Sequence, residues 1–555
     1  MSQPVELPDS ARVVPDGALD RGPVPGDTEL SVTVYGRPAA GEPPIDVLRE
    51  ARRPPRERRY LTAAEAQLAY GASDADIAAV EAFARANGLA IVRVNQAARS
   101  TKLSGSAAAI GRAFGVDLRH YTRHGITYRS HAGPVYVPHE LGAIVQAVVG
   151  LDNRPLGRKF LRLASPALQA AIRAAASSSD LPPNTFLPPR VASLYDFPPH
   201  DASGETVGVL AFNGPIGVGG PSAPGGYDPT VLDRYFTREL GLAPPHVTDV
   251  TVQGPGNDPG DGSDPDDASP EVYLDLSIVG SLAAGARIVV YFTEFTEQGW
   301  VDAISQATTD AANDPSVVSI SYGNPEDGAV SAWSAPVVRQ VGMALEAASA
   351  RGLSVACAAG DSGASDGEAS GVHVDFPASS PWVVACGGTR LEAAGDMISS
   401  EVVWNDQSPN PSQDRGATGG GVSVVFTPPG WQASAMVPPV AGTEQTGRGV
   451  PDVASLADPE TPFVVAQPDG LGGVGGTSAA APLWASLLAR CNATLGARVG
   501  FLNPTLYGLP AGTLRDITSG NNRMPPNGPG YDAGPGWDAC SGLGSPRGSA
   551  LLGAL

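Results

Sequence analysis

Across the second two-thirds of this 555-residue chain, short and continuously apolar runs alternate with helical segments. The runs are TVGVLAFN, ARIVVYFT, SVVSISYG, LSVACAAG and WVVACGG. Continuous rather than alternating apolar character marks strands buried on both faces, as in a parallel sheet covered by helices. Between the runs lie DPTVLDRYFTREL, SPEVYLDLSIVGSLAAG, TEQGWVDAISQATTDAAN and SAPVVRQVGMALEAASARG, which read as those helices. Residues 191–555 are therefore expected to form a doubly wound α/β domain. Its functional residues should follow the carboxyl ends of the strands.

The part before it has another character. Residues 1–30 are rich in Pro and Asp and read as a loose tail. Residues 31–165 read as a compact α+β unit with a split βαβ flavour. In it ELSVTVYGRP and AIVRVNQ are strands, and LTAAEAQLAYG and SDADIAAVEAFARANG are helices with N-cap candidates Thr62 and Ser73. SGSAAAIGRAFGV is a short helix, ITYRSHAGPVYVP a hairpin-like pair, and HELGAIVQAVVGL a further helix. Residues 166–190 pass from a helix into a Ser/Pro-rich linker, where nicking is easiest and SSSDLPPNT is the expected processing stretch.

Charge divides the chain the same way. Residues 1–185 hold 22 basic and 18 acidic side chains, a net of +4, whereas residues 186–555 hold 14 and 39, a net of −25. Two such parts attract each other, and the acidic one is a poor partner for nucleic acid. The expectation follows that the basic part is held partly by charge and that acid weakens the hold. The only lysines, Lys102 and Lys159, both lie in the first part and read as compositional bias. No stretch approaches the roughly 18 apolar residues of a membrane span, and no standard signal peptide is visible. Cys357, Cys386, Cys491 and Cys540 show no zinc spacing, and their disulfide state stays open.

Chemistry concentrates at a few positions. In GGVGGTSAAAPLWASLLAR, Ser478 follows glycines and opens an apolar helix, which suits a nucleophile whose developing charge faces a helix N-terminus. The alternative is a Ser-capped turn. A serine nucleophile needs a base. His200, His246 and His373 lack a helix-opening His-Gly-Thr setting, although a His-dependent subtilisin-like hydrolase remains the first rival reading. In Ser269-Pro270-Glu271-Val272-Tyr273-Leu274-Asp275, by contrast, Ser269 suits an N-cap and Pro270 the first helical position. Glu271 and Asp275 then stack at i and i+4, able to act as base and orienter. Asp361, in GDSG after LSVACAAG, is placed to donate a hydrogen bond to an oxyanion if it keeps its proton. A Glu base with an ordinary pKa of about 4.3 and a protonated Asp together predict activity in acid. Asp375, in HVDFP, is a further candidate cleft acid that would favour basic side chains. Asp516 and Asp538, in glycine-rich loops, offer hard oxygen ligands suited to calcium, or are ordinary turns.

Taken together, Glu271-x-x-x-Asp275, SISYG at 319–323, AAGDSG at 358–363, GGTSAAAP at 475–482 and RDIT…AGPGWDACSGLGSP resemble the sedolisin family of serine-carboxyl peptidases, on its kumamolisin-like side. The resemblance runs over nearly the whole chain. It implies a subtilisin-like fold preceded by a ferredoxin-like prodomain, removed by self-cleavage in acid. It also implies a secreted, monomeric endopeptidase acting on proteins or peptides, with the prodomain as its inhibitor and no membrane or nucleic-acid partner. Ser478 would be nucleophile, Glu271 base, Asp275 orienter and Asp361 the oxyanion partner. One structural Ca2+ would be held by carboxylates of Asp516 and Asp538 and by carbonyls of Ile517, Gly534 and Gly536. Kumamolisin-like members carry a second Glu and a Trp where this chain has Ala211 and Tyr322, so the base has less outer support. The loop 213–226 is longer than usual and is expected to reshape the cleft. The second rival reading is an inactive binding protein on a protease scaffold.

Overall fold

The computed structural model describes residues 3–39, 45–175, 180–329, 333–408, 414–523 and 528–555. The apolar runs do assemble as one sheet. Its order is His246–Thr251, Arg287–Glu294, Thr206–Pro215, Val317–Ile320, Ser354–Ala358 and Val384–Ala394, all parallel. Val453–Leu456 adds parallel to Val384–Ala394, and Met397–Val403 folds back antiparallel on it. Helices cover both faces, as full burial of the runs requires. On one face Ser269–Leu282 packs with Thr477–Leu495, and on the other Glu297–Thr309 packs with Ala335–Ala350. This is a doubly wound α/β domain. The four cysteines are buried and free. Among the described residues no helix is long and apolar enough to cross a membrane.

The N-terminal unit is an antiparallel sheet in the order Ala90–Asn95, Ser100–Ser106, Glu29–Gly36, Val145–Val149. Helices Asp74–Ala86 and Ala107–Phe114 complete the split βαβ, ferredoxin-like arrangement. Thr62 closes a capping box with Glu65, and Ser73 caps the next helix, as the sequence suggests. Three readings change. The two strands of ITYRSHAGPVYVP do not form a hairpin with each other: Ile126–Ser130 pairs with Arg119–Arg123, and Tyr136–Pro138 with Pro4–Glu6. The stretch expected as the helix HELGAIVQAVVGL is a short turn followed by strand Val145–Val149. Its buried residues are Val145, Ala147 and Val149, a period of two that suits an edge of the sheet. The expected loose tail carries strands Pro4–Glu6 and Leu19–Pro23, paired with Tyr136–Pro138 and Arg119–Arg123, and buries Leu7 and Val24.

The open face of this sheet sits on helices Glu297–Thr309 and Ala335–Ala350. Tyr35 Oη and Thr33 Oγ1 donate to Asp302 at 2.6 and 3.1 Å, and Gln298 Nε2 donates to Thr33. Lys102 Nζ stands 3.8 Å from Asp302, and Arg12 pairs with Glu297. The charge contrast thus appears as real contacts across this interface. The loop 213–226 forms a short hairpin, and its Val218 N–H donates to Thr127 O of the N-terminal unit at 2.6 Å.

Candidate active site

Ser478 occupies the second position of helix Thr477–Leu495, after Gly476. Gly476 has φ +98°, and a Cβ there would run into Phe160 O and the Asp361 carboxyl. Only glycine allows the chain to turn so tightly into the helix. N–H groups of a first helical turn have no intrahelical acceptor. That of Ser478 donates to Phe160 O at 3.2 Å, while the Ser478 hydroxyl donates to Ser321 O at 3.0 Å.

Helix Ser269–Leu282 is buried along its whole length, which fixes the direction of Glu271 and Asp275. Its entry differs from expectation. Ser269 is already helical, and its N–H donates to Asp267 Oδ1 at 2.7 Å, while its hydroxyl accepts from Gly260 N. The Asp267 side chain therefore holds the turn that aims Glu271. Burial pushes the Glu271 carboxyl well above its ordinary range, and the neighbouring Asp275 adds to this. The Ser478 hydroxyl and the Lys159 ammonium act in the opposite direction. Burial likewise raises Asp275, against the hydrogen bond that Ser321 Oγ donates to its Oδ1 at 2.7 Å. A Glu271 of ordinary acidity, the expectation from sequence, does not hold in this closed cleft.

Asp361 follows strand Ser354–Ala358 through Gly360, at the carboxyl end where function was expected. Its Oδ1 accepts from Thr477 N at 2.7 Å and Thr477 Oγ1 at 2.9 Å, and Arg162 Nε lies 3.5 Å from Oδ2. Burial pushes its pKa to about 6, with Arg162 and the Thr477 donors opposing. The four predicted residues therefore converge around one point. His200, His246 and His373 do not join them: His200 accepts from Ala202 N, His246 is exposed, and His373 lies 2.8 Å from Asp327.

What the sequence left unread is the segment lying across this point. Arg158–Lys159 pairs antiparallel with Tyr322–Pro325, and Arg162–Leu163 pairs antiparallel with Gly470–Gly475. Between them the Phe160 N–H donates to Ser321 O at 3.3 Å, and its carbonyl meets Ser478 N. The peptide bond Phe160–Leu161 is thus presented to the serine in extended form. Lys159 Nζ donates to the carbonyls of Pro265 and Asp267. Both lysines of the chain hence lie against the catalytic domain, a placement that compositional bias does not explain. Helix Pro166–Ala174 follows, tied by Gln169 Nε2 to Gly473 O at 2.6 Å. The expected processing stretch 177–185 lies partly outside the described residues.

Ala211 is buried in strand Thr206–Pro215 and brings no second carboxylate. Tyr322 is buried against Phe212, with ring centroids 4.9 Å apart, and its hydroxyl feels the charge of both Glu271 and Asp275.

Near the C-terminus Asp516 Oδ2 accepts from Gly536 N at 2.9 Å, and Asp538 Oδ2 accepts from Gly534 N at 3.2 Å. Ser541 Oγ bonds Asp538 and lies 3.4 Å from Ile517 O. The five expected calcium ligands thus fall in one pair of apposed loops. Among the described residues no group of three or more His, Cys, Asp or Glu side chains is placed to hold a metal.

Residues 16–154 match the family described as "Pro-kumamolisin, activation domain", and residues 256–497 match "Subtilase family". Kumamolisin of Bacillus sp. (strain MN-32) is 44% identical over 97% of this chain and 94% of its own length. Sedolisin of Pseudomonas sp. (strain 101) is 30% identical over 86% of this chain and 78% of its own. The solved structure of Pseudomonas sedolisin, a serine-carboxyl proteinase, superposes with a TM-score of 0.53 at 28% identity, covering 66% of this chain and 97% of that one. This chain belongs to the sedolisin family, as the precursor of a self-processing serine-carboxyl peptidase.

Proposed function

We propose that Ser478, Glu271, Asp275 and Asp361 are the machinery of this peptidase, and that its first substrate is its own Phe160–Leu161 bond. The observation that carries this is the Phe160 carbonyl resting on the Ser478 N–H, in a segment paired on both sides like a bound peptide. Ser478 Oγ attacks the Phe160 carbonyl carbon and gives its proton to Glu271, which shares a buried helix with Asp275, itself held by Ser321 Oγ. The oxyanion receives hydrogen bonds from Ser478 N–H and from a protonated Asp361. Glu271 returns the proton to the Leu161 nitrogen as the C–N bond breaks, leaving an acyl-enzyme that water resolves by the same route. Burial raises both carboxyls, and the pair shares a proton, so the base acts in the window between the pair's two protonations. Mass mapping of the acid-treated precursor tests the assignment. A first new N-terminus at Leu161 is expected, whereas one within 177–185 would contradict it.

The loops holding Asp516, Ile517, Gly534, Gly536 and Asp538 fit a calcium ion in donor chemistry, the five expected ligands all offering oxygen. The ion would cross-link the C-terminal loops and take no part in bond cleavage. This reading also makes the mature enzyme an exported monomer whose partners are its prodomain and protein substrates. Its acidic surface supports the exclusion of nucleic acid. Size-exclusion chromatography and fractionation of the culture check those points.

A further inference from the structure

Between strand Glu29–Gly36 and helix Ala63–Tyr70 of the N-terminal unit, residues 46–61 form an arm that lies on the catalytic domain. It does so at the end opposite the active site. Asp361 follows strand Ser354–Ala358, whereas the arm meets Ala350 and Gly352, which precede that strand, and the stretch 495–505 after helix Thr477–Leu495.

The seat fits particular side chains. Arg58 has extended backbone and is 9% exposed, and its guanidinium donates to Val499 O and, at 2.7 Å, to Thr505 Oγ1. Thr505 Oγ1 in turn donates to Ala51 O at 2.7 Å. Tyr60 Oη donates to Val499 O at 2.8 Å, and the Leu61 N–H donates to Ala350 O at 2.9 Å. The Tyr60 side chain fits against two glycines. A Cβ on Gly352 would run into its ring, and a Cβ on Gly500 into its hydroxyl. Val47, Ala51 and Leu61 complete a buried cluster with Ala350, Trp431 and Phe501 of the catalytic domain. Tyrosine and arginine are the side chains that most often dominate binding energy when buried in such a pocket. None of these residues takes part in the proton transfers above.

From this geometry we propose that Gly352, Val499, Gly500 and Thr505 form an exosite for an extended Arg-x-Tyr-Leu segment. Residues 58–61 fill it in the precursor, and it keeps the severed N-terminal unit on the enzyme after the first cut. Opening a linker bond leaves every contact of the arm intact, so the cut alone does not free the enzyme. This goes beyond the assignment of the first cut to Phe160–Leu161 and holds whichever linker bond opens first.

The test uses the full precursor with an affinity tag at its C-terminus. A brief acid step makes the first cut, and a shift to neutral pH halts it. The tagged catalytic part is then captured and washed while mass spectrometry follows the severed unit. The wild type should retain that unit. Tyr60→Ala and Arg58→Met should each release it about tenfold or more faster, since changes at an interface act mainly on the off-rate. Both are scored at a first-cut rate equal to that of the wild type, which keeps a folding defect from passing as release. Should either fail to process, Thr505→Val alters only the catalytic side and should speed release several-fold, because the Arg58 guanidinium loses an acceptor. Release from the wild type as fast as from Tyr60→Ala, or retention by Thr505→Val equal to that of the wild type, overturns the proposal. The mass of the severed unit reports the cut in the same run, so a first cut away from Phe160–Leu161 refutes that assignment without deciding the exosite.

Discussion

The N–H of Ser478 donates to the carbonyl oxygen of Phe160 at 3.2 Å, so the amide of the proposed nucleophile already holds the carbonyl of the bond proposed for the first cut. The donor is free because it belongs to a first helical turn. The acceptor is positioned because residues on both sides of it pair with strands of the catalytic domain. On the proposed reading, blockage of the site and the first cut reside in one contact.

Asp361 sets the alkaline limit. It can donate to the oxyanion only while protonated, and its pKa is pushed to about 6. Activity should therefore be present below about 6 and fall as pH rises through it. Arg162 lies downstream of the Phe160–Leu161 cut and stays on the catalytic chain, where it continues to hold the limit down. Asp361→Ala removes the donor and should lower kcat by about 10² to 10³. Asp361→Asn keeps an N–H donor, so its residual activity should lose this alkaline limb. The pH profiles of kcat for the three enzymes check this.

The Glu271–Asp275 pair sets the acid limit. Both carboxyls are raised by burial, and between their two protonations one remains available as base. Turnover should fall once the second proton binds. Asp275→Asn retains the shape but not the charge and should cost about 10⁴ in kcat, by analogy with loss of the acidic member of a Ser-His-Asp triad. It should also move the acid limb, which a purely structural defect would not do. Stopped-time peptide assays across the acid range read both effects.

These four positions were legible from sequence because local rules place them. An i, i+4 spacing stacks Glu271 on Asp275, a strand end positions Asp361, and a glycine-led helix start presents Ser478. The turn held by Asp267 was missed because Ser269 is a good cap by type, and only the backbone path shows that it already lies inside the helix. Val145–Val149 read as a helix because a short apolar run fits either period; pairing with Glu29–Gly36 makes it a strand. The segment 158–163 carried no local signal. Its conformation comes from pairing with Tyr322–Pro325 and Gly470–Gly475, more than 150 residues away, and Ser321 and Lys159 gain their roles through the same pairing.

Arg448 and Asp452 form a fully buried ion pair at 2.6 Å, in which Asp452 also accepts from Ala385 N and Tyr507 Oη. Removing one partner leaves a buried charge uncompensated. Arg448→Met should destabilise the catalytic domain by about 3–5 kcal/mol. Denaturant unfolding of the variant in the Ser478→Ala background, which avoids self-digestion, measures it.

The C-terminal loops give a separate prediction. If Asp516 and Asp538 hold calcium, a chelator should lower Tm, and added calcium should restore it in proportion to its excess over Kd. In Asp538→Ala the Tm should no longer respond to calcium. A wild-type Tm indifferent to chelator and calcium would refute the site without touching the catalytic assignment.

The most direct measurement follows the precursor on a gel and by mass at pH 3, 4, 5 and 7, for wild type and Ser478→Ala, with a denatured protein substrate present. The wild type should convert in acid with a first cut at Phe160–Leu161 and then digest the substrate. In Ser478→Ala both processes should fall by about 10⁶, which on a gel is no conversion at all. Conversion by Ser478→Ala at the wild-type rate, or activity that peaks at neutral pH, would contradict the serine-carboxyl mechanism assigned to this site.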